Sequence, residues 1–146
     1  MSERKYLPTF AELIDRLFIV QLKAIFIPEN KEAYEKEIEL IMHDIDEIIK
    51  ERDFDDTFEG IINAKMIRAI GILMLTNRFI WENESKARAG GAEQNKLLQL
   101  THSINGVRNT AKNIISQELG ERVDLKIDCL AAELVKEFGN WNIFNA

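Results

Sequence analysis

Residues 32–52 read EAYEKEIELIMHDIDEIIKER, and this stretch decides the fold class. Apolar side chains recur there every three or four positions, at Tyr34, Ile38, Ile41, Ile45 and Ile48. Such spacing is typical of an α-helix that buries one face. Polar side chains occupy the other face (Glu35, Glu39, His43 and Glu47). We therefore predict an amphipathic helix over residues 32–52.

Helical periodicity also accounts for most of the remaining sequence. It predicts helices over residues 9–26, 58–88 and 92–119, an amphipathic segment over 124–138 and an apolar tail over 139–146. No stretch sustains the alternation of apolar and polar residues that is typical of a strand. A chain of 146 residues is long enough to bury a core without metal or disulfide support. We predict an all-α helical bundle of four to five helices, forming a single domain over residues 1–146.

The predicted helix ends depend on residues that favour caps. Thr9 is expected to be the N-cap of the first helix, with Glu12 as its partner in a capping box. The pair Gly90 and Gly91 is expected to stop the third helix, and Gly120 the fourth. The most apolar run, residues 66–75, is shorter than the roughly 20 residues that span a bilayer. We expect it to form a helix that is buried on most sides.

Charge and composition argue against two classes of partner. The formal net charge is -6, and an acidic surface does not replace the counterions of a nucleic acid or an anionic membrane. We therefore expect no nucleic-acid partner and no membrane partner. The first residues do not resemble a signal peptide, and the single cysteine, Cys129, fits a reducing compartment. We expect a cytoplasmic protein.

Several polar side chains fall on helix faces that the apolar pattern marks as buried. Asp15 lies on the apolar stripe of the first helix. Asn77, Glu84 and Arg88 lie on the stripe of the third helix, with Trp81 at its edge. Buried polar groups are either paired or line a cavity. Two interpretations therefore stay open. The first is structural ion pairs, between Glu84 and Arg88 on one helix and between Asp15 and a basic residue in the core, and the second is a polar site inside the bundle.

The fourth predicted helix carries another unusual set of polar residues. Its apolar stripe is flanked by Asn105, Arg108 and Lys112. Its far face carries amides, a histidine and a glycine in place of the usual Glu and Lys (His102, Gly106, Asn109 and Asn113). This face suits the close approach of another helix or of a ligand, and an ordinary surface position is the alternative for His102. With the apolar tail, the face is a candidate homodimer or partner surface.

Carboxylates on the first two helices give candidate magnesium ligands. Two acidic pairs loosely resemble the paired acidic motifs of all-helical nucleotide pyrophosphohydrolases, namely Glu12 with Asp15 and Asp44 with Glu47. Acidic helix faces are common, so a solvated face is the alternative. No nucleophile motif and no glycine-rich phosphate loop occurs, and two histidines with one cysteine make no zinc set. Whether the protein is an enzyme stays open, and so does its cofactor, for which magnesium is the candidate that the acidic pairs suggest.

Three stretches resemble one protein family. Residues 12–23, ELIDRLFIVQLK, resemble the opening of a family of short all-helical bacterial and phage proteins of unknown function, often encoded near glycosyltransferase genes. Residues 77–88, NRFIWENESKAR, and 104–109, INGVRN, resemble its later motifs. Ser85 replaces the second acidic residue of the family pattern, which weakens a metal-binding role there. The resemblance implies a helical fold, a shared polar cluster and a bacterial or phage origin, but no reaction.

These observations predict a binding or interaction module with a polar pocket between the first, third and fourth helices. The candidate ligand-binding residues are Asp15, Lys23, Asn77, Trp81, Glu84, Arg88, His102, Asn105, Arg108 and Asn109. Cations, amides and an aromatic ring suit a phosphorylated sugar or a nucleotide. The alternative is a magnesium-dependent (pyro)phosphohydrolase that acts on a nucleotide or a sugar phosphate.

Overall fold

The computed structural model describes residues 3–53 and 62–124, and in that part of the chain the structure is helical. The α-helices are α1 (Phe10–Phe26), α2 (Lys31–Asp53), α3 (Ala64–Arg88) and α4 (Gln94–Glu118). A short 3-10 helix, Pro28–Asn30, joins α1 to α2. The described residues contain no strand, so the all-α prediction is confirmed. Cys129, all but the first residue of the segment predicted over 124–138, and the tail over 139–146 lie outside the described residues.

Side chains that satisfy free backbone N–H groups set the helix starts. The Thr9 hydroxyl accepts the N–H of Glu12 at 3.2 Å, which confirms the predicted N-cap. The prediction that Glu12 completes the capping box is wrong, because its carboxylate lies 3.3 Å from Arg122 and not against the backbone N–H of Thr9. The Asn63 side chain accepts the N–H of Met66 at 2.8 Å. This cap makes α3 begin at Ala64, so the predicted start near residue 58 is wrong.

Glycines with positive φ angles follow α3 and α4, as predicted. Gly90 and Gly91, at φ 80° and 113°, follow α3, and Gly120, at φ 67°, follows α4. The turn made by the two consecutive glycines continues to residue 93. Consequently α4 begins at Gln94, two residues later than the sequence indicated.

Helix α1 contacts all three other helices. It packs along α2 on one side and touches α3 and α4 on another, while α3 and α4 pair along most of their length. Phe10 and Ile14 of α1 share a core with Met66 and Leu73 of α3 and Ile115 of α4. Each such buried side chain stabilises the fold by about 1.5–3 kcal/mol. This packing directs one side of α1, including Asp15, towards α3 and α4.

The expectation for residues 66–75 is only half correct. Met66 and Leu73 are fully buried, but Ile67, Met74 and Leu75 are 60%, 50% and 57% exposed. Within the described residues α3 packs mainly on α4, so its apolar side chains on the far side have no helix to cover them. The described part of the chain contains no helix with the length and apolar composition that a membrane crossing requires.

Candidate functional site

A buried carboxylate joins α1, α3 and α4. Asp15 is 4% exposed, and its Oδ1 accepts a hydrogen bond of 2.7 Å from the side-chain amide of Asn77. Arg108 donates from Nε to Oδ1 at 3.0 Å and from Nη2 to Oδ2 at 2.6 Å. The Nζ of Lys112 lies 3.6 Å from the same Oδ2. We call Asp15, Asn77, Arg108 and Lys112 the Asp15 network.

Arg108 is held in one orientation from two sides. Its fork of two donors on Asp15 is the bidentate geometry that makes arginine–carboxylate pairs strong and directional. Its Nη1 also donates to Oδ1 of Asn105 at 2.8 Å, one helical turn earlier on α4. The Asn105 amide therefore acts through Arg108, and the guanidinium plane is fixed before any ligand arrives.

The network changes the acidity of its carboxyl group. Burial by itself would raise the pKa of Asp15. Hydrogen bonds and charge attraction from Arg108 outweigh that effect, with further contributions from the Asn77 amide and the Lys112 charge. The pKa of Asp15 is therefore lowered from its ordinary value of 3.8. Asp15 is ionised at neutral pH, so it cannot donate a proton there.

Stability in acid should depend on Asp15. Because its pKa is lower in the folded chain, the ionised carboxylate stabilises the fold fully above the unfolded value of 3.8, and this contribution is lost as the pH falls through the folded pKa. We expect the difference in unfolding free energy between the unmodified protein and Asp15→Asn to shrink from about pH 7 to about pH 3. Urea titrations at both pH values measure it, and a constant difference would contradict the assignment.

A cleft opens beside the Asp15 network. Its volume is about 350 Å³, and α1, α3 and α4 all contribute to its walls. Six of the candidate residues border it, namely Lys23, Asn77, Trp81, Glu84, Arg88 and Arg108. Aliphatic side chains of α1 and α3 fill the walls between them. We call this site the cationic cleft, because three of its side chains are cations and one is a carboxylate.

The charged groups of the cleft differ in how firmly they are held. Arg108 is fixed by the Asp15 network, whereas Arg88 is 82% exposed at the rim. Arg88 Nη2 lies 3.9 Å from Glu84 Oε2, which makes a loose pair, and such exposed pairs contribute about 0–1 kcal/mol. Lys23 lies over the ring of Tyr34, 5.9 Å from its centroid, and has no ion pair within the described residues. The buried ion pair is therefore at Asp15, and Glu84 with Arg88 stays open to solvent.

Two candidate residues lie elsewhere on α4. His102 is exposed and Asn109 is partly buried, and neither borders the cationic cleft. On the same predicted amide face Gly106 is buried, and Asn113 exchanges hydrogen bonds with the backbone of Asp124 at 2.9 and 3.0 Å. Asn113 therefore holds the chain that leaves α4. A partner surface on this face stays a prediction.

The candidate magnesium ligands are not brought together. Glu12 lies against Arg122, and Asp15 is surrounded by Arg108 and Lys112. The other two, Asp44 and Glu47, border a different cleft beside α2. Within residues 3–53 and 62–124 no group of three or more His, Cys, Asp or Glu side chains is placed to hold a metal ion.

The candidate site residues left out one member of the network, and sequence reasoning missed one support of the cleft. The sequence already placed Lys112 beside the same apolar stripe as Arg108, four positions later, but it gave no reason to count Lys112 as a site residue. The support is Phe26, whose ring stacks on Trp81 with the centroids 5.9 Å apart. No spacing rule indicates this contact, because it depends on how α1 crosses α3.

The sequence matches no protein-family model, and neither a curated protein nor a solved structure was found to be similar to it. The resemblance to the family of helical bacterial and phage proteins therefore stays a prediction. The geometry of the cationic cleft and of the Asp15 network is the basis on which a function can be proposed.

Proposed function

We propose that this protein is a binding module that holds a small phosphorylated molecule in the cationic cleft. The observation that carries the proposal is the convergence of Lys23, Arg88 and Arg108 on one cleft in a chain whose net charge is -6. Cations gathered in a concave site of an otherwise acidic protein favour an anionic ligand there. Among the described residues that line the cleft, Glu84 is the single carboxylate.

Arg108 supplies the fixed part of the anion site. A guanidinium has five N–H donors. Three hydrogen bonds from Arg108 go to Asp15 and Asn105, which leaves two donors for a ligand. Because Asp15 and Asn105 already fix the guanidinium, a ligand need not order it, and less conformational entropy is lost on binding. Lys23 and Arg88 add two further cations, and neither is held by a buried ion pair in the described residues.

The size of the cleft limits the ligand. Small-molecule sites usually measure about 300–1,000 Å³, and 350 Å³ lies near the lower end. A sugar phosphate or a mononucleotide fits this range, whereas a sugar nucleotide needs a larger volume. We therefore expect one phosphorylated unit, bound by contacts to its phosphate and to one attached group.

Binding is tested by thermal shift and calorimetry with ribose 5-phosphate, AMP and inorganic pyrophosphate, with ribose as the uncharged control. At a ligand concentration 100-fold above Kd the fold gains about 2.7 kcal/mol, which raises the melting temperature by several degrees. Arg88→Ala and Lys23→Ala should each weaken binding by roughly tenfold or more, since each removes a charge-assisted hydrogen bond.

Lys86→Ala is the matched control for Arg88→Ala. Both residues are exposed cations in the last turn of α3, but Lys86 does not border the cleft. Lys86→Ala should therefore leave the affinity unchanged, and both substitutions should change stability by less than about 1 kcal/mol. Equal losses of affinity in the two variants, or no shift with any phosphate compound, would overturn the proposal.

The remaining expectations from the sequence stay predictions. A magnesium-dependent hydrolase has less support, because its candidate ligands are dispersed and Asp15 is held by cations. Calorimetry repeated in the presence of magnesium tests the hydrolase alternative. A homodimer, the absence of a nucleic-acid partner, a cytoplasmic location and a bacterial or phage origin are predictions of the same kind.

A further inference from the structure

Trp81 is held in place by a stack of side chains on one side. The Phe26 ring lies 5.9 Å from it, with an angle of 28° between the ring planes. Arg78 covers Phe26, with its guanidinium carbon 4.5 Å from the ring centroid, and is itself paired with Glu82 at 2.9 Å. These contacts fix the orientation of the indole through aromatic stacking and a cation–π interaction.

Trp81 borders the cationic cleft, whereas Phe26, which stacks on its ring, does not. Ile80 lies next to Trp81 in the wall, and Ile19 and Leu22 of α1 also line the cleft. A rigid aromatic surface with aliphatic neighbours favours a flat ring, because stacking and apolar burial both increase with planar contact area. A phosphate alone would leave this surface in water.

Glu84 adds a requirement that a simple anion does not meet. Its carboxylate, 47% exposed, borders the same cleft as the three cations. An ionised carboxylate only accepts hydrogen bonds, and it repels a phosphate. A ligand that suits the cleft must therefore offer N–H or O–H donors at some distance from its phosphate. Ribose hydroxyls and the exocyclic amino groups of nucleobases are donors of this kind.

We infer that the ligand is a nucleoside monophosphate whose base stacks on Trp81. The phosphate then lies among Lys23, Arg88 and Arg108, and Glu84 accepts hydrogen bonds from the ribose or from the amino group of the base. This inference rests on the proposed function, and it names the ligand class of the same cleft. It also assigns Phe26 and Arg78 as positioning residues, which act through Trp81.

The test compares AMP with ribose 5-phosphate by calorimetry on the full chain. Stacking of one base on an aromatic side chain corresponds to about a 5- to 150-fold gain in affinity, and we expect AMP to bind more tightly by a factor in this range. Trp81→Leu should remove this advantage, so that AMP and ribose 5-phosphate bind to that variant with similar affinity. Phe79→Leu is the matched control, because Phe79 is an exposed aromatic residue of α3 outside the cleft.

The outcomes separate this inference from the proposed function. Equal affinities for AMP and ribose 5-phosphate, or equal losses of both in Trp81→Leu, would overturn the inference and leave the phosphate site standing. Failure of both compounds to bind would overturn both. If circular dichroism shows that Trp81→Leu does not fold, Trp81→Phe provides the readout, because its smaller ring should narrow the difference in affinity between AMP and ribose 5-phosphate.

Discussion

Replacement of Asp15 by alanine is expected to lower the unfolding free energy by about 3–5 kcal/mol, the usual cost of leaving a buried charge without its partner. Asp15 is 4% exposed and accepts hydrogen bonds from Asn77 and from two nitrogens of Arg108. Alanine leaves the cations Arg108 and Lys112 close together with no carboxylate between them. Urea denaturation followed by circular dichroism measures the change.

Glu84→Ala is the informative comparison for this prediction. From the sequence, Glu84, like Asp15, could be part of a structural ion pair or of a polar site. Its only ion pair in the described residues is the 3.9 Å contact with the exposed Arg88. We expect Glu84→Ala to change stability by less than about 1 kcal/mol. Similar losses in both variants, or a loss below about 1 kcal/mol in Asp15→Ala, would show that the Asp15 network does not hold the helices together.

Helical periodicity predicted which face of its helix each side chain occupies. For part of the candidate site this was sufficient to predict which residues are buried. Asp15 and Asn77 fall on apolar stripes, and both are buried and bonded to each other. Glu84 and Arg88 fall on the same stripe as Asn77 but are open to solvent. The reason is the length of α1, whose last residue, Phe26, contacts Trp81. The turn of α3 that carries Glu84 and Arg88 lies beyond the end of α1, so α1 does not cover it.

Other features depended on contacts that a single helix does not encode. The apolar pattern alone suggested that α3 starts near residue 58. The Asn63 side chain caps the helix, which therefore begins six residues later, at Ala64. Ile67 and Leu75 are as apolar as Leu73, and among the described elements the positions of α1 and α4 determine which of them is buried. The stack of Phe26 on Trp81 likewise results from the crossing of two helices.

Arg108→Met should destabilise the fold about as much as Asp15→Ala, because it leaves Asp15 as a buried carboxylate with only the Lys112 charge at 3.6 Å and one amide. The triple variant Asp15→Leu, Asn77→Leu, Arg108→Met should recover most of that loss. Replacing a buried ionic group by apolar side chains of similar volume is often neutral or stabilising. Asn77 must change as well, because its buried amide would otherwise lose its acceptor at about 1–3 kcal/mol. Urea denaturation of the single and triple variants measures the recovery.

Recovery of stability in the triple variant depends on how the remaining charge of the network, on Lys112, is solvated. The Lys112 side chain is 19% exposed, so its long aliphatic stem can carry the ammonium to water when Asp15 is gone. We therefore expect the triple variant to unfold within about 2 kcal/mol of the unmodified protein, with strong non-additivity relative to the single changes. A triple variant as unstable as Arg108→Met would mean that the network holds the helices in a way that packing cannot replace.

The same variant separates folding from binding. It removes the fixed guanidinium and the amide that border the cationic cleft, while Lys23, Trp81 and Arg88 remain. If the proposed function is correct, the folded triple variant should bind ribose 5-phosphate at least tenfold more weakly, because charge-assisted hydrogen bonds from Arg108 are lost. Unchanged affinity in a folded triple variant would instead place the phosphate at Lys23 and Arg88 alone, and Arg108 would then be a structural residue that merely borders the cleft.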